Sequence, residues 1–504
     1  MTQIQTLPHH LTRTLVLGLP LIGSHLAQMS LHVTDTVMLG WYGVAELAAV
    51  VLGASLFFSV FILGSGFGIA VMGSISAALG RGDDTEMRRS ARMALWLSIL
   101  YGALAYPFFY ISGTVLRALG QDPEIADLAQ AYLRIAGIGL TPALIIMVLK
   151  SYLAANERTQ IVLWVTIAGV VFNAGANYLL IFGHYGAPEL GVRGAAYASL
   201  LTQSLTALAL ALYAGWLPSL RHVRLFQRFW RPDWPAFRQV AKLGVPIGLT
   251  GVAEAGLFQA SAIMMGWVGT LELAAHGIAL EITALAFMVH LGLSNAATVR
   301  VGRAHGRRDK TALRRASLAA IVLSGAFALA MVGVFLAVPE ALVSLFLEVD
   351  NPDAARIITF GAMLLAVAAL FQVTDAMQAL ALGLLRGVED TNMPMWIATI
   401  SYWLIGMPAS YLLAFKLGLG GSGIWYGLVV GLSVAGIALM WRFWRLHGNR
   451  APYPTKSPTP EHPASQGAPA SPYAPQALPD DMPPELPAIG PTGALKSGDP
   501  ERRV

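Results

Sequence analysis

The stretch LVLGLPLIGSHLAQMSLHVTDTVMLG, residues 15–40, decides how the rest of the chain is read. It is apolar over a length that crosses a bilayer, for which about 20 residues suffice. It nevertheless contains Pro20, His25, Gln28, His32 and, near its far end, Asp35. A carboxylate in hydrocarbon is expensive unless it is paired, protonated or wetted. Taken alone, Asp35 counts against a membrane span as much as it marks a functional one. The remainder of the chain decides between these.

The same scaffold returns later. LGLP at 17–20 matches LGVP at 243–246, an offset of 226 (246 − 20) that holds without a gap for some seventy residues. Gly40-Trp41 falls on Gly266-Trp267, Gly66 on Gly292, Gly80-Arg81 on Gly306-Arg307, and Arg88-Arg89 on Arg314-Arg315. Further on the offset drifts, pairing Pro123 with Pro352, Glu157 with Glu389, and Tyr178 with Tyr411. Apolar runs recur near 14–40, 46–73, 92–115, 127–153, 161–183, 192–217, 238–267, 275–300, 316–338, 355–384, 395–416 and 423–446. Hydrophobic residues make up 56% of the chain and charged ones 12%, against about 25% charged in soluble domains. The chain reads as an all-α polytopic membrane protein of twelve helices in two six-helix repeats. Six is even, so the repeats run parallel, related by a pseudo-twofold along the membrane normal. Parallel repeats are a transporter architecture with sites near the repeat interface.

The expected organisation is a first six-helix lobe at 8–216, a linker at 217–237, a second lobe at 238–448 and a tail at 449–504. The linker, LPSLRHVRLFQRFWRPDWPAF, reads either as a basic amphipathic surface stretch or as an ordinary loop. The tail is Pro-rich and expected to be disordered, with 14 of the 28 prolines after residue 450. Arg and Lys cluster after the second, sixth, eighth and twelfth spans, which places both termini in the cytoplasm by the positive-inside rule. They sit at span ends, Arg300 deepest, so a net charge of +5 does not point to nucleic acid. The chain has no cysteine, which excludes disulfides and thiolate metal sites. MTQIQTLPHHLTR shows no cleavage pattern, so the first segment is expected to stay as a helix. No HExxH-type cluster suggests an intramembrane enzyme.

The candidates for chemistry are the polar groups inside spans. Asp35 lies 22 residues after Arg13, roughly 33 Å along a helix at about 1.5 Å per residue, in the outer half of the bilayer. Glu254 stands in the seventh span. Asp375 stands in the tenth, with Gln372 and Gln378 a helical turn away on either side. Glu281 lies a few residues into the eighth span. By the offset Asp35 corresponds to Ser261 and Glu254 to Gln28, and the fourth span carries no acid to match Asp375. The scaffold is symmetric and the carboxylates are not, which favours a cation or proton site over a structural need shared by both halves. Asn173 and Asn177, four apart on one helix face, could form a polar patch with Ser199 or act as packing glue. His25, His32, His276 and His290 show no metal-ligand spacing and read as packing residues.

These features together carry a resemblance. TDTVMLG at 34–40, NAGANYLLIFG at 173–183, VRVG at 299–302 and LLRGVEDTNMP at 384–394 resemble the multidrug and toxic compound extrusion (MATE) family, in its NorM-like branch. The resemblance implies a V-shaped pair of six-helix bundles around a central cleft, acting as a monomer among the lipids of a bacterial inner membrane. It implies export of cationic amphipathic drugs in antiport with Na⁺ or H⁺, with no cofactor beyond that coupling ion. Asp35 matches the family's first-helix aspartate. Glu254 and Asp375 look like the acidic pair of the second-lobe cation site, here as ligands to Na⁺. Asn173 and Asn177 resemble the fifth-helix polar pair, with Asn177 where other branches carry aspartate. Glu281 and Gly277 depart from the neutral amide and glutamine expected there. A lipid-linked oligosaccharide flippase of the same wider superfamily is the alternative, and it calls for a wide basic cavity.

Overall fold

The computed structural model describes residues 6–216, 221–347 and 352–448. The first four linker residues and the whole Pro-rich tail lie outside the described residues. Twelve long apolar helices run through the rest: α1 (Leu7–Tyr42), α2 (Val44–Arg81), α3 (Asp84–Tyr110), α4 (Pro123–Ala155), α5 (Thr159–Phe182) and α6 (Val192–Trp216), then α7 (Trp234–Val268), α8 (Thr270–Gly306), α9 (Lys310–Ala337), α10 (Ala354–Gly387), α11 (Asn392–Lys416) and α12 (Gly420–Gly448). Each covers most of one of the twelve expected runs. The run at 92–115 is cut at Tyr110, and a short helix, Ser112–Ala118, takes its end. Hydrocarbon leaves backbone amides no water to bond, so a long helix is the conformation that satisfies them internally.

The repeat extends to the caps. Asp83 accepts from the Glu86 amide at 2.8 Å and Asp309 from the Ala312 amide at 2.9 Å, capping α3 and α9 at positions 226 apart (309 − 83). Just before them Gly82 and Arg308 both hold left-handed backbone, φ 75° and 57°. Glu157 and Glu389, paired by sequence, close the turns after α4 and α10 at φ 58° and 60°. Non-glycine residues adopt that region uncommonly, so two equivalent glutamates there report the same turn built twice.

The two halves meet at their arginine-rich ends. Along α2 burial is almost unbroken from Gly64 to Ala78, whereas toward its start only Ala49, Val50 and Gly53 are buried. At Gly66 a Cβ would lie 2.3 Å from the Gly244 carbonyl oxygen and 2.5 Å from the Gly248 amide nitrogen of α7. At Gly292, its equivalent in α8, a Cβ would lie 2.4 Å from Ile22 Cγ1 and 2.8 Å from the Ile22 nitrogen of α1. Side-chain hydrogen bonds reinforce the contact. Arg303 donates to Glu157 Oε1 and to the Ala155 carbonyl, both at 2.6 Å, and Arg300 donates to Thr14 Oγ1 at 2.5 Å and to the His10 carbonyl. Toward the other end Trp41, Val44, Ile263 and Trp267 are exposed. The close contacts described between the halves thus gather at the arginine-rich end.

Replacing Gly66 by Ala is expected to destabilise the protein by about 1–3 kcal/mol, because helix backbones rather than side chains must move apart. Gly325→Ala, with open space around it, is expected to be neutral or stabilising by up to about 1 kcal/mol. Thermal unfolding of both variants in detergent checks the contrast.

The described part of the linker is strapped to α3. Val223 and Leu225 are buried, Arg92 donates to the Arg228 carbonyl at 3.0 Å, and Trp96 Nε1 donates to the Phe229 carbonyl at 3.0 Å. Arg89 pairs with Asp233 and holds its carboxyl below the usual range. The linker is therefore packed over residues 221–233, with Trp230 and several arginines left facing outward.

Candidate functional site

Two polar clusters lie inside the helices, one in each half. In the first, Asp35 is 8% exposed. Its Oδ1 accepts from Asn177 Nδ2 at 2.5 Å and its Oδ2 from Ser199 Oγ at 3.1 Å, while Asn177 Nδ2 also reaches Asn173 Oδ1 at 3.1 Å. Helices α1, α5 and α6 thus deliver to one point an acid and a polar patch that sequence spacing had placed only on separate spans. Among the described residues no Lys, Arg or His forms an ion pair with Asp35. A carboxylate with donors but no counter-charge is a place where a proton or a small cation can add.

The symmetry-related position is filled differently. Ser261 is fully buried and donates within its own turn, to the Phe258 carbonyl at 2.7 Å. By the offset that carries Tyr178 onto Tyr411, Asn173 and Asn177 fall on Gly406 and Ser410. There Ser410 donates to the Ile424 carbonyl at 3.0 Å, and a Cβ on Gly427 would meet Ser410 Oγ at 2.1 Å. The second half packs α11 on α12 where the first half holds a polar pocket. A nearby π-helical segment, Ser401–Gly406, shifts the register of α11 and brings in Tyr402.

The second cluster joins α7, α10 and α11. Gln378 Nε2 donates to Glu254 Oε1 at 3.3 Å and to the Tyr402 hydroxyl oxygen at 2.6 Å. Asp375, Gln372 and Gln378 are buried, at 2%, 0% and 0% exposure. Among the described residues, Asp375 Oδ1, Gln378 Oε1 and both polar atoms of Gln372 have no hydrogen-bond partner. Buried polar groups are normally satisfied, so oxygens without donors on Asp375, Gln372 and Gln378 could take a hard cation, which accepts oxygen ligands. No three acidic or histidine side chains gather among the described residues. The set is two carboxylates plus amides, an all-oxygen donor set without the His or Cys ligands that zinc favours.

Glu281 stands apart: it is partly exposed and hydrogen-bonds to none of these residues. His276 receives a hydrogen bond from Trp425 Nε1 at 3.0 Å, and His290 bonds Ser324 at 2.9 Å, as packing residues do. Gln28 leads to a residue outside the sequence candidates. Lys150 of α4 donates to Gln28 Oε1 at 3.2 Å and is 9% exposed. The expectation that basic residues stay at span ends with Arg300 deepest is corrected here. Lys150 is six residues from the end of α4 counted inclusively, yet its side chain runs into the interior to reach the middle of α1. The lysine inside the 127–153 run is the signal that locates it. Tyr402 carried no such signal, because an aromatic in an apolar span reads as core.

A model of the MatE family matches residues 20–179 and 246–412. The chain is 46% identical over 442 residues to a probable multidrug resistance protein NorM of Rhizobium meliloti (strain 1021), covering 87% of this chain and 94% of the relative. It is 45% identical to the protein of the same description in Agrobacterium fabrum, over 86% of this chain and 93% of the relative. Among solved structures it resembles the eukaryotic MATE transporter AtDTX14, with a TM-score of 0.79 at 19% identity over 87% of this chain and 96% of that one. It also resembles a multidrug resistance MATE family transporter of the MOP superfamily in an outward-facing conformation, TM-score 0.79 at 22% identity over 88% of this chain and 98% of that one.

Proposed function

Since the chain belongs to the MATE family, and is a membrane transporter rather than an enzyme, we propose that it exports cationic amphipathic drugs across a bacterial inner membrane in antiport with Na⁺ or H⁺. The observation that carries this reading is Asp35: buried, given donors by Asn177 and Ser199, free of any ion pair among the described residues, and matched in the other repeat by Ser261. The relatives named as multidrug resistance proteins support drugs as the cargo. The positive-inside rule supports assigning the packed, arginine-rich end to the cytoplasm, with both termini there. The cleft then opens outward.

Alternating access follows from differential affinity. A cation or proton arriving from outside adds to Asp35 or to the Glu254–Asp375 cluster and removes negative charge from the cleft wall. A bound cationic drug loses its attraction and leaves outward. The halves then close outside and part at the glycine contact of α2, α7, α1 and α8. Coupling requires that drug and ion each shift the same two-state equilibrium. The six-helix lobes 8–216 and 238–448 are the rigid parts of this cycle, and a monomer suffices for it. The Glu254–Asp375 oxygens favour Na⁺; Asp35 serves either ion.

In proteoliposomes, a Na⁺ gradient alone or a pH gradient alone is expected to drive ethidium out of the compartment equivalent to the cytoplasm. No movement under either gradient sinks the antiport reading. The flippase alternative calls for a broad basic cavity, whereas the two clusters described here are built on carboxylates, with Lys150 as the buried base beside Gln28.

A further inference from the structure

We propose that Lys150 is an anion-recognition point at the base of the cleft, taking the carboxylate of substrates that carry both a positive and a negative group. The proposal rests on the drug-transport reading above and names a substrate class for it.

Lys150 is buried, and an ammonium has three donors. Among the described residues Gln28 Oε1, at 3.2 Å, is its one hydrogen-bond partner, and no carboxylate forms an ion pair with it. Burying a charge against a single neutral acceptor is costly, so packing alone would favour leucine or methionine here. The surroundings are polar and come from both halves. His25, on the face of α1 that carries Gln28, meets Asn295 Nδ2 of α8 at 3.0 Å. His25, Gln28 and Asn295 are each only part-buried, so the polar patch over Lys150 keeps some accessible surface. One turn further along α4, Ala154 is sealed against Leu17, Leu21, Met72, Ala296 and Val299. That seal belongs to the contact closing the inner end. Lys150 stands one turn above it.

The repeat supplies the sign. Gln28 corresponds to Glu254, and α4 corresponds to α10. In the second half a carboxylate on α7 meets Gln378 of α10, with Asp375 one turn away. In the first half an amide on α1 meets an ammonium on α4. The cleft therefore has an anionic point in one wall and a cationic point in the other at corresponding depth. A simple cation uses only the carboxylates, that anionic point and Asp35. A zwitterion matches both, and a carboxylate on the two free Lys150 donors makes charge-assisted hydrogen bonds, roughly twice as strong as neutral ones.

The test uses the full-length protein in a pump-deficient bacterial host, with three probes: norfloxacin, which carries an amine and a carboxylate, its methyl ester, and ethidium. Lys150→Met is expected to lower norfloxacin efflux about tenfold, the loss of one hydrogen bond to a charged group, with ester and ethidium efflux close to wild type. Lys150→Arg is expected to keep norfloxacin transport. Unchanged norfloxacin efflux in Lys150→Met overturns the assignment. So does an equal loss for all three probes at wild-type membrane level, which would make Lys150 part of the cycle or the fold. If Lys150→Met fails to reach the membrane, Lys150→Gln is read by the same criteria. If the wild type moves none of the three, the transport reading itself falls and this assignment with it; ethidium export by the wild type separates the two failures.

Discussion

Asp35→Asn is expected to cut drug efflux about 100-fold, the upper range of a coupling free energy of 1–3 kcal/mol, with protein in the membrane at wild-type level. Asparagine keeps the shape and can still bond Ser199 and Asn177, so the helices α1, α5 and α6 need not move. What disappears is the negative charge and with it the ability to gain a proton or ligate a cation. The variant stays permanently in the neutralised form, in which the cleft wall no longer holds a cationic drug. Substrate binding to the purified variant separates the mechanism from a folding defect: ethidium affinity should fall while thermal unfolding is little changed. Wild-type resistance in cells expressing Asp35→Asn removes Asp35 from the cycle. The reciprocal change, Ser261→Asp, places an acid where, among the described residues, the native serine bonds only within its own turn, and should destabilise without adding a coupling site.

Asp375→Asn is expected to raise the cation concentration for half-maximal drug efflux roughly 100-fold, since removing one member of a buried charged set costs about 2–5 kcal/mol. Asp375 is 2% exposed, its Oδ1 has no donor, and Gln378 bridges Glu254 and Tyr402 beside it. Under the antiport proposal, the coupling cation supplies the partner that the Asp375 oxygen lacks among the described residues. The loss should be overcome by high Na⁺ if Na⁺ is the ion, and by low external pH if it is the proton. That cross-over gives the identity of the ion directly. A variant with unchanged ion dependence would make the cluster a structural network, and coupling would then rest on Asp35 alone.

Most of the fold is legible in the residues because the forces that make it are local. Hydropathy over some twenty residues shows where a helix must cross, and the 226-residue offset shows that one six-helix plan is used twice. The offset even carries through to details that no hydropathy window sees: the Asp83 and Asp309 caps, and the left-handed Gly82 and Arg308 before them. The acids were legible too, as costly residues in apolar runs. Lys150 was less so, because a lysine near the end of a run passes for an interfacial anchor.

The sequence by itself determined the twelve helices, their repeat and the short list of intramembrane acids. Each of these follows from transfer energies and periodicity that add residue by residue. Only the tertiary structure decided which groups meet. Asn177 and Ser199 reach Asp35 across 142 and 164 residues, Lys150 reaches Gln28 across 122, and Tyr402 enters the second cluster on a π-helical shift. Those meetings depend on how far each helix is rotated about its axis and how closely it approaches its neighbour. Backbone contacts such as Gly66 on Gly244 set that approach, and no single segment contains the information. In the first span the sequence shows that Asp35 is expensive; the fold shows that it is given donors and, among the described residues, left without a counter-charge.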